Sequence, residues 1–275
     1  MRSRSVGRGI ASYAVLVIAS LLAMFPLLWV LLTSLKSPAD ALAPADKAFD
    51  FRPTGTNYGQ LFGDPSFLNA LLASVVITVV ATLIVVVVST LGAYAFARLR
   101  FAGRRLLAIV MVCVQIIPGI VLVIPLYRLV SGLGLYDQWL PIMLILGTLS
   151  IPFATWVTMA FFQGLPIEVE EAAVIDGANR LQSFRFVLLP MAAPGIATSA
   201  IFTTIAVWNS FLIPVILGQK RAETLTVYAA HFITFQEVTW GPLCATAVLI
   251  FAPIVLFVLA MQRPLVKGLT AGSVK

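Results

Sequence analysis

The sequence is poor in charged residues. Aspartate, glutamate, lysine and arginine together make up 11% of its 275 residues, whereas soluble domains carry about 25%. Hydrophobic residues make up 60% of the chain. This composition predicts an integral membrane protein. The 275 residues suffice for one membrane domain and leave no room for a separate soluble catalytic domain of usual size.

Residues and motifs typical of catalytic, nucleotide-binding and metal-binding sites are also scarce. No glycine is followed by lysine, which excludes the phosphate-binding loop of nucleotide hydrolases. Cys113 and Cys244 both lie inside apolar runs, so a disulfide framework is not expected. His231 is the single histidine and has no second ligand near it in sequence. We therefore expect no catalytic, cofactor-binding or metal-binding residue, and a chain that is not an enzyme.

Six long apolar segments account for most of the chain. Each is long enough for a helix to cross a hydrocarbon core of about 30 Å, so the predicted fold is all-α with six transmembrane helices. Pro118 and Gly119 are expected to kink or interrupt the third. The second is rich in β-branched residues, but its length favours a helix over a strand. The predicted spans are residues 10–35, 70–97, 106–127, 139–164, 191–217 and 242–261.

The cores of these spans contain no aspartate, glutamate, lysine, arginine or histidine. Proton-coupled carriers depend on ionisable groups inside the membrane, so this absence weighs against a self-powered pump. Sodium coupling through carbonyls and hydroxyls stays open. If transport is active, another chain is expected to supply the energy.

Positive charge predicts the orientation. Twelve of the 18 lysines and arginines fall in segments that a six-span model assigns to the cytoplasm, as the positive-inside rule requires. Both termini are then cytoplasmic: residues 1–9 precede the membrane domain 10–263, and residues 264–275 form a tail. This distribution explains the net charge of +7, so nucleic acid is not an expected partner. The twelve residues are Arg2, Arg4, Arg8, Arg98, Arg100, Arg104, Arg105, Arg180, Arg185, Arg263, Lys267 and Lys275.

The segment between the fourth and fifth spans, residues 164–190, is longer than a turn requires. Glu168, Glu170 and Glu171 place negative charge near the start of a predicted helix, and Gly177 suits the left-handed conformation that ends one. We interpret this segment as a platform on which another protein docks. A hairpin lying on lipid is the alternative, although an anionic membrane surface would repel the glutamates.

Within this segment the order is Glu171-Ala172-Ala173, three residues, Gly177, nine residues, Val187, one residue and then Leu189-Pro190. This pattern resembles the cytoplasmic coupling loop of the transmembrane subunits of bacterial ABC importers, which usually have isoleucine where Val187 stands. Other segments are similar to the carbohydrate-uptake branch, and the tail is similar to that of the shorter permease subunit of maltose-type systems. These segments are Asn57-Tyr58, Leu61-Phe62, Trp208-Asn209 and Gln262–Lys275.

The resemblance implies a type I ABC importer permease fold in a bacterial inner or plasma membrane. It also implies four partners besides lipid: a homologous second permease subunit, two ATP-binding subunits that use ATP and Mg²⁺, and an extracytoplasmic solute-binding protein. Residues implied to couple to the ATPase are Glu168, Glu171, Ala172, Ala173, Asp176 and Gly177. Residues expected to face the binding protein are Tyr228, Phe232 and Phe235.

Neutral polar and aromatic side chains in the spans suit a sugar, which presents hydroxyls and apolar ring faces. Contacts between helices are the other interpretation of these side chains. The candidates for a translocation path are Gln115, Thr155, Trp208 and Asn209.

We therefore expect an ATP-driven, binding-protein-dependent permease that works by alternating access. The expected solute is a sugar or sugar-like molecule: an oligosaccharide, an amino sugar or a glycerol-phosphate derivative. A stand-alone secondary carrier or channel for a small polar solute is the alternative, and it would leave the acidic platform without a role. A membrane enzyme would need a catalytic constellation that the sequence does not offer.

Overall fold

The computed structural model describes residues 3–271, with side chains described for residues 13–44 and 46–259. This part of the chain is mostly helical, because a segment in lipid must satisfy its backbone N–H and C=O groups within itself. A π-helical turn, Phe184–Leu188, joins α9 to α10. The helices are α1 (Ser3–Ser34), α2 (Pro38–Ala41), α3 (Thr56–Gly63), α4 (Pro65–Arg98), α5 (Arg104–Ile116), α6 (Gly119–Gly132), α7 (Trp139–Gly164), α8 (Ile167–Ile175), α9 (Arg180–Ser183), α10 (Leu189–Trp208), α11 (Leu212–Leu217), α12 (Leu225–Ala229) and α13 (Trp240–Ala271).

Within residues 3–271, five helices are long and apolar enough to cross a membrane, and α5 with α6 makes a sixth span if this bent pair counts as one. The predicted fourth span, residues 139–164, coincides with α7. The valine-rich second span is helical, as its length predicted, and the helix has 34 residues. The five helices are Tyr13–Ser34, Pro65–Arg98, Trp139–Gly164, Arg180–Trp208 and Trp240–Leu259.

The third predicted span, residues 106–127, is not one continuous helix. Helix α5 ends at Ile116, α6 begins at Gly119, and the two helices differ in direction by 100°. Pro118 lacks the N–H that a continuing helix would use, and it forces Ile117 into an extended conformation with ψ of 120°. The sequence indicated an interruption here, and the structure shows that it is a sharp bend.

The fifth and sixth spans also differ from their predicted limits. Residues 191–217 are divided, because α10 ends at Trp208 and α11 begins at Leu212. Asn209, expected in the middle of the span, instead follows its last helical residue, and its side-chain amide donates to the Ile205 carbonyl at 2.8 Å. Helix α13 continues to Ala271, through the predicted start of the tail at residue 264, and residues 272–275 lie outside the described part.

Residue contacts divide the chain into two units, which we describe separately. The first contains the described residues up to Leu68 and Tyr228–Ala252. Here Asn57 acts as a structural residue: its side-chain amide donates to the carbonyls of Ser34 and Lys36, at 2.8 and 2.9 Å, and so satisfies carbonyls that the end of α1 leaves free.

The second unit contains Asn69–Val227 and the described residues from Pro253 onward. Small residues allow its helices to approach closely, as in many membrane proteins. A β-carbon on Gly195 of α10 would collide with the Phe161 ring of α7, so this contact requires glycine. The core residues that α4, α7 and α11 share are Ala73, Ile77, Ala81, Ile142, Met143, Leu146, Ile213 and Leu217.

Asp137, in the loop between α6 and α7, connects two loops of the second unit. Its carboxylate accepts backbone N–H groups from four successive residues, Gln219–Ala222, at 2.7–3.2 Å. Partial burial alone would raise the pKa of this carboxyl group, but the four donors favour its charged form, so its pKa lies below the usual value.

We expect Asp137→Asn to lower the free energy of unfolding by about 1 kcal/mol at pH 7, since the amide keeps the shape and loses the charge. A carboxyl group whose pKa is lowered by folding contributes its full stabilisation above its unfolded-state pKa of about 3.9. This stabilisation is lost as the pH falls through the folded-state pKa. The difference in melting temperature between wild type and variant should therefore be constant above about pH 5 and shrink below about pH 4. Asp50→Asn, which changes an exposed carboxylate, is the control. A difference that persists unchanged at low pH would contradict this assignment.

Candidate functional site

The predicted coupling loop, residues 164–190, folds as two short helices and a π-helical turn. Pro166 precedes α8 as its N-cap residue, and Glu168 and Glu170 lie in the first turn. After Ile175 the chain reverses at Gly177, whose φ is +88°. This is the left-handed conformation that the sequence predicted.

Hydrogen bonds hold this reversal in place. The N–H of Gly177 donates to the carbonyl of Val174, and the N–H of Ala178 donates to that of Ala173, both at 3.0 Å. The pair forms a Schellman motif, in which a residue with positive φ lets the chain satisfy the last carbonyls of a helix. The direction in which α9 leaves α8 therefore depends on residue 177.

Helix α8 has an outer and an inner face. Glu168, Glu171, Ala172 and Ile175 recur at helical spacing and are exposed, Ile175 by 85%. Ala173 faces inward and is only 9% exposed. Ala173, which the resemblance placed with Ala172 among the coupling residues, therefore does not lie on the accessible face, because adjacent residues on a helix point about 100° apart.

Glu170, which the sequence interpretation did not include among the coupling residues, connects α8 to the membrane helices. The Tyr94 hydroxyl of α4 donates to Glu170 Oε1 at 3.0 Å. Arg98, at the end of the same helix, places Nε 3.5 Å from Glu170 Oε2. A guanidinium nitrogen of Arg98 also donates to the Leu165 carbonyl at 2.6 Å, just after α7. Glu170 and Arg98 thus join α8 to both α4 and α7.

A cleft of about 880 Å³ opens beside this network. Its walls combine guanidinium groups, carboxylates and exposed apolar side chains. Such a surface suits a protein partner that presents both charged and apolar groups. The residues that line it are Arg98, Leu99, Arg100, Phe101, Ile167, Glu170, Glu171, Val174, Ile175 and Arg180.

The second half of the loop is attached by aromatic packing. Asn179 and Gln182 form a reciprocal capping box at the start of α9. Phe184, in the π-helical turn, packs on Tyr94 with ring centroids 4.8 Å apart. Leu188 is fully buried, whereas Leu181 is 73% exposed on the outer side of α9.

The four residues predicted for a translocation path do not lie together. Gln115 lines a cavity of about 360 Å³ between α5, α7 and α10, and Trp208 lines another of about 170 Å³. Asn209 marks the end of α10. The Thr155 hydroxyl donates to the Ile151 carbonyl of its own helix at 2.8 Å. Which of these side chains share a cavity depends on how the helices pack, and no local sequence pattern indicates that.

The three residues expected to face a binding protein also differ in position. Phe235 is fully exposed at the tip of a short turn in which the N–H of Thr234 donates to the Glu237 carbonyl at 3.0 Å. Phe232 is half-buried at its base. Tyr228 is buried, and its hydroxyl donates to Asp64 Oδ2 at 2.6 Å, which holds the pKa of that carboxyl group below its usual value. Tyr228 supports the surface and cannot itself lie at a contact.

No group of three or more histidine, cysteine, aspartate or glutamate side chains in the described part of the chain is placed to hold a metal ion.

Comparisons with known proteins extend these observations. The family model described as "binding-protein-dependent transport system inner membrane component" matches residues 88–270. The trehalose transport system permease protein SugB of Mycobacterium tuberculosis is 39% identical over 261 residues, which cover 92% of this chain and 93% of SugB. The sulfoquinovosyl glycerol transport system permease protein SmoH of Agrobacterium fabrum is 31% identical, covering 92% of this chain and 89% of SmoH.

A solved structure gives the same fold. One chain of a bacterial ABC transporter that imports the acidic polysaccharide alginate superposes on this chain with a TM-score of 0.78 at 23% identity, over 96% of this chain and 98% of that one. The predicted permease fold is thereby confirmed. The likeness does not test the predicted orientation of the termini.

Proposed function

Because the chain belongs to the family of binding-protein-dependent transport system inner membrane components, we propose that it is the permease subunit of an importer for sugars or sugar-like solutes. Relatives are named for the transport of trehalose, of sulfoquinovosyl glycerol, of diacetylchitobiose and of trehalose and maltose, which are all sugar-based. The neutral, hydroxyl-bearing interior of the spans suits such a solute. The family description places the chain in the inner membrane, and its five or six candidate spans in the described residues make it a multi-pass protein.

The solute-binding protein follows from the family itself, whereas the other partners are part of our proposal. A second, homologous permease subunit would complete the path through the membrane. Two ATP-binding subunits would supply the energy with their own ATP and Mg²⁺. This chain would contribute no catalytic group and would convert closure of the ATPases into a change of helix packing.

The outer face of α8 and the adjoining cleft are the surface that we assign to the ATPase. Glu168, Glu171 and Ala172 are exposed there, so they are available for contact. Asp176 and Gly177 maintain the turn that sets the direction of α9. Ala173 is buried, so we assign it to packing beneath this face and not to direct contact with the ATPase.

Glu170 would transmit the movement. If an ATPase draws α8 with it, the bonds from Glu170 to Tyr94 and Arg98 carry that displacement to α4, and the bond from Arg98 to Leu165 carries it to α7. Two spans would then move together with the coupling loop. Such a rigid connection is what alternating access between two packings requires.

In the first unit, we assign Phe235 as the principal contact for the solute-binding protein. It is a fully exposed aromatic side chain, and such side chains contribute strongly to protein interfaces when a partner covers them. Phe232 would contribute at the edge of the contact. Tyr228 acts through its bond to Asp64, by holding this surface in place.

Disulfide crosslinking tests the coupling assignment with a matched pair of positions. In a background with Cys113 and Cys244 replaced, we expect Ala172→Cys to crosslink to a cysteine in the cleft of the co-produced ATP-binding subunit, with a yield that ATP changes. Ala173→Cys, one residue further on the inner face, should crosslink far less. The measurement is the crosslinked fraction on a non-reducing gel, with and without ATP.

If Ala172→Cys reacted freely with a water-soluble thiol reagent while every candidate ATPase was present, the importer assignment would fail. The chain would then be tested alone in proteoliposomes, where a stand-alone carrier transports its solute without ATP. Equal crosslinking at both positions would contradict the assignment of the two faces of α8 and leave the family membership untouched.

A further inference from the structure

The cavity of about 360 Å³ between α5, α7 and α10 has the composition of a binding site for a neutral, hydroxylated ligand. Its volume falls within the range of about 300–1,000 Å³ that is typical of small-molecule sites. Three polar side chains line it, and no charged one does. The lining residues that matter here are Gln115, Ser150, Thr203, Phe153 and Phe202.

Thr203 is the unusual member of this set. Its side chain is 2% exposed, and its hydroxyl has no hydrogen-bond partner in the described part of the chain. Thr158 of α7 is also buried without a partner but does not line the cavity, whereas Thr198 and Thr155 donate to carbonyls one turn back, those of Pro194 and Ile151, both at 2.8 Å. A buried polar group without a partner is costly and rare in native structures, so Thr203 calls for a partner that enters the cavity.

The other side chains complement that hydroxyl. The Ser150 hydroxyl donates to the Leu146 carbonyl at 2.8 Å, which leaves its oxygen free to accept. The Gln115 amide is exposed to the cavity and can both donate and accept. Together the three groups offer donors and acceptors without charge, which is the pattern that sugar hydroxyls match.

An apolar wall completes the site. Phe153 and Phe202 pack edge to face, with ring centroids 5.8 Å apart and planes at 84°. Aromatic rings provide a rigid apolar surface against which the C–H face of a sugar ring can lie. A charged or purely aliphatic solute would use only part of this lining.

The position of the cavity also suits transport. Gln115 lies two residues before the sharp bend between α5 and α6. Discontinuous helices line the solute sites of many transporters, because backbone that departs from the helix is tolerated in a membrane only where it meets protein or a polar cavity.

We propose that the imported sugar contacts this subunit in the Gln115–Ser150–Thr203 cavity, where Thr203 donates a hydrogen bond to a sugar oxygen. Ser150 accepts one from a sugar hydroxyl, Gln115 bonds a second hydroxyl, and the two phenylalanines contact a ring face. This inference rests on the proposed function and specifies where it takes place. It replaces Thr155, Trp208 and Asn209 as path residues.

The test uses the complete transporter in proteoliposomes, with its binding protein and ATPase. The wild type is first assayed with radiolabelled trehalose, maltose and diacetylchitobiose, and the sugar that it transports becomes the probe. We expect Thr203→Val, which keeps the shape and removes the hydroxyl, to reduce the sugar transported per ATP hydrolysed by roughly fivefold. Thr203→Ser, which keeps a hydroxyl, should remain close to wild type.

Two further variants separate solute contact from structure. Thr198→Val makes the same change on the same helix, at a hydroxyl bonded to its own helix, and should leave the ratio of sugar to ATP unchanged. Gln115→Leu changes a side chain that is not buried, so this variant should insert into the membrane normally. It should lower the ratio of sugar transported to ATP hydrolysed, as Thr203→Val does.

The outcomes distinguish this inference from the function on which it rests. If the wild type transports no sugar or sugar derivative, the proposed function fails and the sugar site falls with it. If the wild type transports a sugar and Thr203→Val and Gln115→Leu keep its ratio of sugar to ATP, the cavity is not the contact and the function stands. Parallel loss of uptake and ATP hydrolysis in both variants would likewise overturn the cavity assignment, because it indicates a structural role.

Discussion

Gly177→Val is expected to reduce uptake by the assembled transporter more than tenfold while the protein still reaches the membrane in normal amount. The backbone at this position has φ of +88°, and no neighbouring heavy atom lies within 4 Å of a β-carbon placed there. The effect therefore comes from the backbone alone: a β-branched residue in this conformation costs about 1–3 kcal/mol. Since about 1.4 kcal/mol corresponds to a factor of ten, this cost shifts the equilibrium away from the native turn by roughly 5- to 150-fold, at the point where the loop must dock an ATPase.

Two control variants make this expectation specific. Gly164→Val places the same side chain in equally open space at the end of α7, without a positive φ, and should leave uptake near the wild-type level. Gly177→Asn should retain much of the activity, because asparagine tolerates the left-handed region. Uptake is measured in cells after immunoblotting shows equal amounts in the membrane. Normal uptake by Gly177→Val would remove the coupling role that we assign to the turn.

Glu170→Ala is expected to separate ATP hydrolysis from transport and to destabilise the protein as well. Without this carboxylate, Tyr94 loses its acceptor and Arg98, whose side chain is 11% exposed, loses its counter-charge. Breaking such a partly buried pair costs about 1–3 kcal/mol. We expect a melting temperature lower by several degrees, and a complex that hydrolyses ATP while α4 and α7 no longer follow α8.

Glu171→Ala provides the matched control, because Glu171 is the adjacent glutamate and lies exposed on the outer face. It should weaken docking of the ATPase without changing the melting temperature. A double-mutant cycle between Glu170→Ala and Tyr94→Phe should show strong non-additivity, because both substitutions remove the same hydrogen bond. Additive losses, or equal melting temperatures for Glu170→Ala and wild type, would contradict the proposed connection between α8 and α4.

Local patterns in the sequence were sufficient to predict several elements of the structure. The limits of α7, the helical state of the valine-rich α4 and the left-handed Gly177 follow from composition and from residues close in the chain. Pro118-Gly119 indicated a break in the third span for the same reason. The angle of that break could not be predicted, because it depends on what the two halves pack against.

The features that the sequence did not predict depend on contacts between residues that are distant in the chain. Glu170 meets Tyr94 across 76 positions, and nothing near Glu170 in sequence signals that pairing. The three-residue spacing of Glu170 and Ala173 was the available clue, since it puts both on one face of a helix. Of the two hydroxyls that line the proposed sugar cavity, that of Thr203 has no hydrogen-bond partner in the described residues, and no sequence pattern records such an absence. Asn209 resembled a residue in the middle of a span because α10 and α11 are both apolar.

The π-helical turn at Phe184–Leu188 sets the angle at which the coupling loop leaves the fifth span. Such a turn contains one residue more than the α-helix would need, and each residue of an α-helix contributes a rotation of about 100°. Deleting a single residue here would let the helix run on without interruption and would swing α8 and α9 about the axis of α10 by that amount. Every side chain of the docking surface would remain present, but the surface would face a different direction. The number of residues in this turn, and not only their identity, therefore determines the direction in which the docking surface points.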